Sequence, residues 1–112
     1  MKIYHNPRCT KSRQTLALLQ ENGVEPEVIL YLENIPTAND LKDLLSKLGI
    51  SPMQLIRKGE AIWKENYKGK ELSDAQIIDA MIAHPKLIER PIVVKDNKAV
   101  LGRPPENVLE LI

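Results

Sequence analysis

Ile3-Tyr4-His5-Asn6-Pro7-Arg8-Cys9-Thr10-Lys11-Ser12-Arg13 is the stretch that decides how the chain is read. Met1, Ile3 and Tyr4 give an apolar start that reads as a short strand. Asn6-Pro7 breaks it, because proline fixes φ and pushes the residue before it out of the helical region. After Cys9 a helical period begins, with Leu16 and Leu19 on one face and Gly23 as a stop. Cys9, the only cysteine, therefore falls where a strand turns into the N-terminus of a helix.

That position has chemical consequences. The first N–H groups of a helix lack intrahelical partners and carry partial positive charge. A thiolate placed there is stabilised, and its pKa falls. Arg8, Lys11 and Arg13 add positive charge, and the Ser12 hydroxyl is within reach of the sulfur. The same amides and cations suit an oxyanion beside the sulfur. The competing reading, a small buried apolar cysteine, fits poorly beside a proline, three cations and a serine. His5 has two readings: an imidazolium that helps hold the thiolate, or a strand-end histidine with an ordinary hydrogen bond.

The 112 residues are enough for one domain with a single core. Sixteen basic against fifteen acidic residues leave a net charge of +1, so no bulk basicity points to nucleic acid. One cysteine excludes an intramolecular disulfide and fits a reducing compartment. No apolar run is long enough for a bilayer and no signal-peptide pattern opens the chain. The expectation is a cytoplasmic monomer without membrane or nucleic-acid partners. Phenylalanine is absent, so the core is to be built from Leu, Ile and Val.

Further along, Val28-Ile29-Leu30-Tyr31-Leu32 reads as a buried strand, which completes a right-handed βαβ unit. Thr37 with Asp40 caps a helix striped by Leu41, Leu44, Leu45 and Leu48 and ended by Gly49. Ser51-Pro52-Met53-Gln54 opens a short helix running out near Arg57-Lys58-Gly59. Ala61 to Tyr67 forms another, with Trp63 as a packing residue. Ser73 with Gln76 opens a helix lined by Ile77, Ile78, Met81 and Ile82 and closed by His84-Pro85. Pro91 to Val94 and Ala99 to Leu101 flank a tight turn at Asp96-Asn97. Arg103-Pro104-Pro105-Glu106 starts a last helix carrying Val108, Leu109 and Leu111. The order, β-α-β, several helices, then β-β-α, predicts an α/β thioredoxin-like fold with a mixed four-stranded sheet. It forms a single domain over residues 1–112, with a helical insertion at about 36–86.

Three arginines stand at element ends: Arg57 at the end of a short helix, Arg90 before Pro91 and Arg103 before Pro104. Guanidinium forks donate two parallel hydrogen bonds and suit tetrahedral oxyanions. Several chemistries are excluded by spacing. Cys-x5-Arg fails at Thr15, Cys-x-x-Cys fails at Ser12, and one cysteine with two scattered histidines makes no metal site. No Gly-rich phosphate loop is present.

At these residues the chain resembles a known family. His5-Asn6-Pro7-x-Cys9-x-x-Ser12-Arg13 is similar to the active-site signature of the glutaredoxin-coupled, ArsC-like arsenate reductases. The likeness continues through Tyr31-Leu32-Glu33, Leu48-Gly49-Ile50, Arg57-Lys58, His84-Pro85, Leu87-Ile88, Arg90 to Val94 and Gly102 to Glu106. It implies a thioredoxin-like fold with a cis-proline at Pro91. It implies Cys9 as nucleophile toward arsenate, Arg57, Arg90 and Arg103 as oxyanion ligands, and His5 as the residue that lowers the cysteine pKa. No cofactor is bound. Glutathione is a co-substrate that adds to the arsenic–sulfur adduct, and glutaredoxin clears the resulting mixed disulfide. Two features depart from the better-known enzymes: Arg8 stands where a small residue is common, and the chain stops soon after its last helix. Both fit a shorter branch of the family. A glutathione-linked thiol reductase with another substrate and an Spx-like regulatory module are the alternatives, since fold and motif do not fix the substrate.

Overall fold

The computed structural model describes all residues, 1–112. The chain divides into two compact units, residues 1–34 with 90–112, and residues 35–89.

The first unit is built on a four-stranded sheet in the order β2-β1-β3-β4. β1 (Lys2–Tyr4) leads into helix α1 (Thr10–Glu21) and then β2 (Glu27–Ile29), which pairs parallel with β1. β3 (Ile92–Lys95) pairs antiparallel with β1 and with β4 (Lys98–Leu101). Asp96, at a positive φ of 55°, makes the tight turn between β3 and β4. This is the mixed sheet and the thioredoxin-like layout expected from the element order. Ile3, Leu19, Val93, Val108 and Leu111 form its core. Burial of each such side chain contributes roughly 1.5–3 kcal/mol.

Two details differ from the sequence reading. The apolar run after α1 was expected to be a buried strand. Instead β2 is an edge strand of three residues, Val28 is 44% exposed, and Tyr31 in the following turn is the buried residue at 1%. The last helix, Pro105–Leu111, is a 3₁₀ helix. With three residues per turn, Pro105, Val108 and Leu111 stack on one buried face, and Leu109, expected in the core, points to solvent.

The second unit is helical: α2 (Ala38–Leu48), a 3₁₀ turn at Pro52–Leu55, α3 (Ala61–Asn66), α4 (Asp74–Ala83) and a 3₁₀ turn at Pro85–Leu87. Leu41, Leu44, Leu45, Leu55, Ile77 and Met81 are among its buried residues. Gly49 ends α2 in the left-handed region at φ 69°, its N–H donating to the Leu45 carbonyl at 2.9 Å. Trp63 is buried and stacks on Tyr67 with ring centroids 5.5 Å apart. No helix of the protein is long and apolar enough to cross a membrane.

Candidate active site

The corner between β1 and α1 is made by the backbone first. The Asn6 carbonyl accepts the Cys9 N–H at 3.0 Å, closing a β-turn whose second residue is Pro7. The Asn6 side chain accepts the Arg8 N–H at 3.0 Å. Arg13 reaches back from α1, donating to the Pro7 carbonyl at 2.8 Å and to Thr10 Oγ1 at 3.2 Å. Cys9 is thereby held in an extended conformation as the residue that begins α1, with no side chain capping the helix there.

The sulfur is partly buried. Burial by itself raises a thiol pKa. Here it is outweighed by the Ser12 N–H, by the Arg90 guanidinium acting as hydrogen-bond donor and as charge, and by the Lys11 N–H. The net effect holds Cys9 below its ordinary value. No acidic residue stands in the first turn of α1 to oppose this.

His5 and Ser12 meet each other. Both are buried, and His5 Nδ1 lies 2.6 Å from Ser12 Oγ, which also accepts the Asn6 N–H at 3.0 Å. The Ser12 hydroxyl is thus engaged with His5 and Asn6, and it is the Ser12 amide that bonds the sulfur. Burial first, and then the charge of Arg13, hold His5 below the ordinary imidazole value. Of the two readings of His5, the structure shows the ordinary hydrogen bond, made to Ser12.

Arg90 and Arg103 come together, Arg103 Nη1 donating to the Arg90 carbonyl at 3.3 Å. Each precedes a proline in a cis peptide, Pro91 and Pro104. Gly102 lies against this pair, its N–H donating to the Pro91 carbonyl at 2.9 Å. A β carbon on Gly102 would stand 2.6 Å from Thr15 Oγ1 and 2.7 Å from Pro91 Cγ, so the close approach requires glycine. Thr15 is fully buried, and its hydroxyl donates to the Lys11 carbonyl at 2.8 Å. Thr15 and Gly102 thus lock α1 against the residue that follows Arg90. The sequence reading gave neither a role. The signal was the spacing Ser12, Thr15, Leu19, which is the buried face of α1 once polar residues are admitted to it.

Arg57 belongs to the second unit. It follows Ile56, which forms an isolated bridge with Ile88, and does not end a helix as expected. Its Nε lies 3.5 Å from Glu60 and its Nη1 3.9 Å from Glu89. No group of three or more His, Cys, Asp or Glu is arranged to hold a metal ion.

A thioredoxin-like sheet carrying one lowered-pKa thiol at a helix N-terminus, with an arginine bonded to it, defines a single-thiol member of that fold. The chain belongs to the ArsC family, which it matches over residues 4–111. It is 57% identical to the protein YfgD of Escherichia coli (strain K12), covering 100% of this chain and 96% of that one. It is 46% identical to an arsenate reductase of Haemophilus influenzae, covering 98% and 97%. Among solved structures it resembles an arsenate reductase from Vibrio cholerae with a TM-score of 0.95 and 50% identity over 99% of this chain and 96% of the other.

Proposed function

We propose that the protein reduces arsenate to arsenite, taking electrons from glutathione and glutaredoxin. The observation that carries the reading is the partly buried Cys9 thiol at the uncapped start of α1, its pKa held below the ordinary value by the Ser12 and Lys11 N–H groups and the Arg90 guanidinium. Arsenate is an anion and is repelled by a thiolate, so a nucleophile for it needs fixed positive groups at the same point. Arg90 and Arg103 supply them as oxyanion ligands. Arg57 joins them in this proposal on the strength of the family resemblance.

In the first step the Cys9 thiolate forms a bond to arsenic(V), and one arsenate oxygen leaves as water with two protons. A glutathione thiolate then attacks the Cys9 sulfur. The arsenic–sulfur bond breaks with its electron pair on arsenic, which departs as arsenite, and a Cys9–glutathione disulfide forms. The two thiols lose two electrons and arsenic gains two. A glutaredoxin thiolate takes the glutathionyl group and frees the Cys9 thiolate. One protein cysteine suffices because the other thiols come from outside.

The test is NADPH consumption coupled through glutathione reductase, glutaredoxin and glutathione, with arsenate as substrate. Wild type turns over, and Cys9→Ser, folded by circular dichroism, does not, because a serine hydroxyl is far less acidic and cannot give the arsenic–sulfur adduct. Folded wild type without arsenate-dependent turnover across several glutaredoxins refutes the assignment and leaves a thiol reductase for another substrate or a regulatory module.

A further inference from the structure

We propose that a pocket on the β1–α1 corner seats the zwitterionic tripeptide thiol, glutathione, next to Cys9; the identity of the ligand rests on the function proposed above. The pocket, of about 300 Å³, is formed between the turn that carries Pro7 and Arg8 and the segment after β2 that carries Leu30, Leu32 and Glu33. It is at the small end of the range for small-molecule sites, roughly 300–1,000 Å³, which suits a ligand of tripeptide size.

Two observations give the pocket its chemistry. Arg8 and Glu33 both line it, both are exposed, and neither side chain is in an ion pair with the other or with any residue. The lining also carries apolar surface, including Leu32 at 41% exposure. Glutathione at neutral pH carries an ammonium and two carboxylates around a short thiol-bearing centre. Arg8 takes a carboxylate and Glu33 the ammonium, while the leucines pack against the chain between them. Cys9 follows Arg8 in the chain but does not itself line the pocket, so the ligand's thiol-bearing centre has to extend past the Pro7–Arg8 turn to reach the sulfur. Neither Arg90 nor Arg103 lines this pocket, so tripeptide and oxyanion use different cations. On this account Arg8, the residue that departs from the better-known arsenate reductases, is a co-substrate ligand and not a block to the oxyanion site.

The test uses S-methylglutathione, which cannot react, titrated into the full-length ¹⁵N-labelled protein and followed by amide NMR shifts. The expected shifts fall on His5, Asn6, Arg8, Leu30, Leu32 and Glu33. S-methylcysteine, a smaller zwitterion, should bind at least about tenfold more weakly. Arg8→Glu and Glu33→Lys should each weaken the tripeptide about tenfold, and the double reversal should recover part of the loss. Shifts that map elsewhere, equal binding of S-methylcysteine, or variants that bind like wild type would overturn the proposal. The readout needs no arsenate. A protein that fails in the turnover assay yet binds the tripeptide here loses the proposed activity and keeps this site. One that reduces arsenate but binds the tripeptide elsewhere loses this site alone.

Discussion

Helices α1 and α2 begin in opposite ways. α2 starts at Thr37, whose hydroxyl accepts the Asp40 N–H at 3.1 Å while Asp40 accepts the Thr37 N–H at 3.0 Å. That reciprocal cap satisfies two orphan donors and places a negative charge at the positive end of the helix. α1 starts at Cys9 with no side-chain cap and no acid in its first turn. Its Lys11 and Ser12 amides turn to the sulfur instead. The same backbone feature, a set of unpaired N–H groups, is closed for stability in one helix and kept for a thiolate in the other.

The contrast breaks most visibly if Arg90 is dispensable. Arg90→Ala should lower kcat/KM for arsenate about ten- to a hundredfold, through loss of a charge-assisted hydrogen bond worth roughly 1.5–3 kcal/mol. Arg90→Lys should recover part of it, charge without the fork. Steady-state kinetics that leave Arg90→Ala unchanged would mean the helix amides serve the sulfur alone. Next in size is the lock that fixes α1 beside the cis-proline. Gly102→Ala should destabilise the protein by about 1–3 kcal/mol in denaturant unfolding, since its β carbon meets Thr15 and Pro91 inside contact distance. Unaltered stability would show that both neighbours yield. The smallest effect sharpens the other side of the comparison. Thr37→Ala should cost about 1 kcal/mol of stability while the alkylation of Cys9 is unchanged. A shift in Cys9 reactivity would show that the two helix starts are not independent devices.

What could be read from the sequence follows from how local each feature is. The Thr37–Asp40 cap lies within four consecutive residues and was legible there. So was the placing of Cys9, because Asn6-Pro7 is a turn signal whatever surrounds it. Val28 was misread because an apolar run does not say whether its strand is central or at an edge, and β2 is at the edge. Leu109 was misread because the choice between periods of 3.6 and 3.0 is made by packing over seven residues. His5 and Ser12 were both picked out, but not as partners. They meet only once the turn has folded seven residues back on themselves, and that pairing engages the Ser12 hydroxyl with His5 and the Asn6 N–H. The closeness of Gly102 to Thr15, 87 positions apart in the chain, had no local trace at all.

The central claim is that the start of α1 is built to hold a thiolate, and the pH dependence of Cys9 alkylation tests it most directly. Only the thiolate reacts, so the rate rises with pH and reaches half its plateau at the pKa of the group. The Ser12 and Lys11 N–H groups and the Arg90 guanidinium outweigh the effect of burial, so the midpoint should lie below the ordinary value of a free thiol. In Arg90→Ala it should move up toward that value. A wild-type midpoint at or above the free-thiol value would contradict the account.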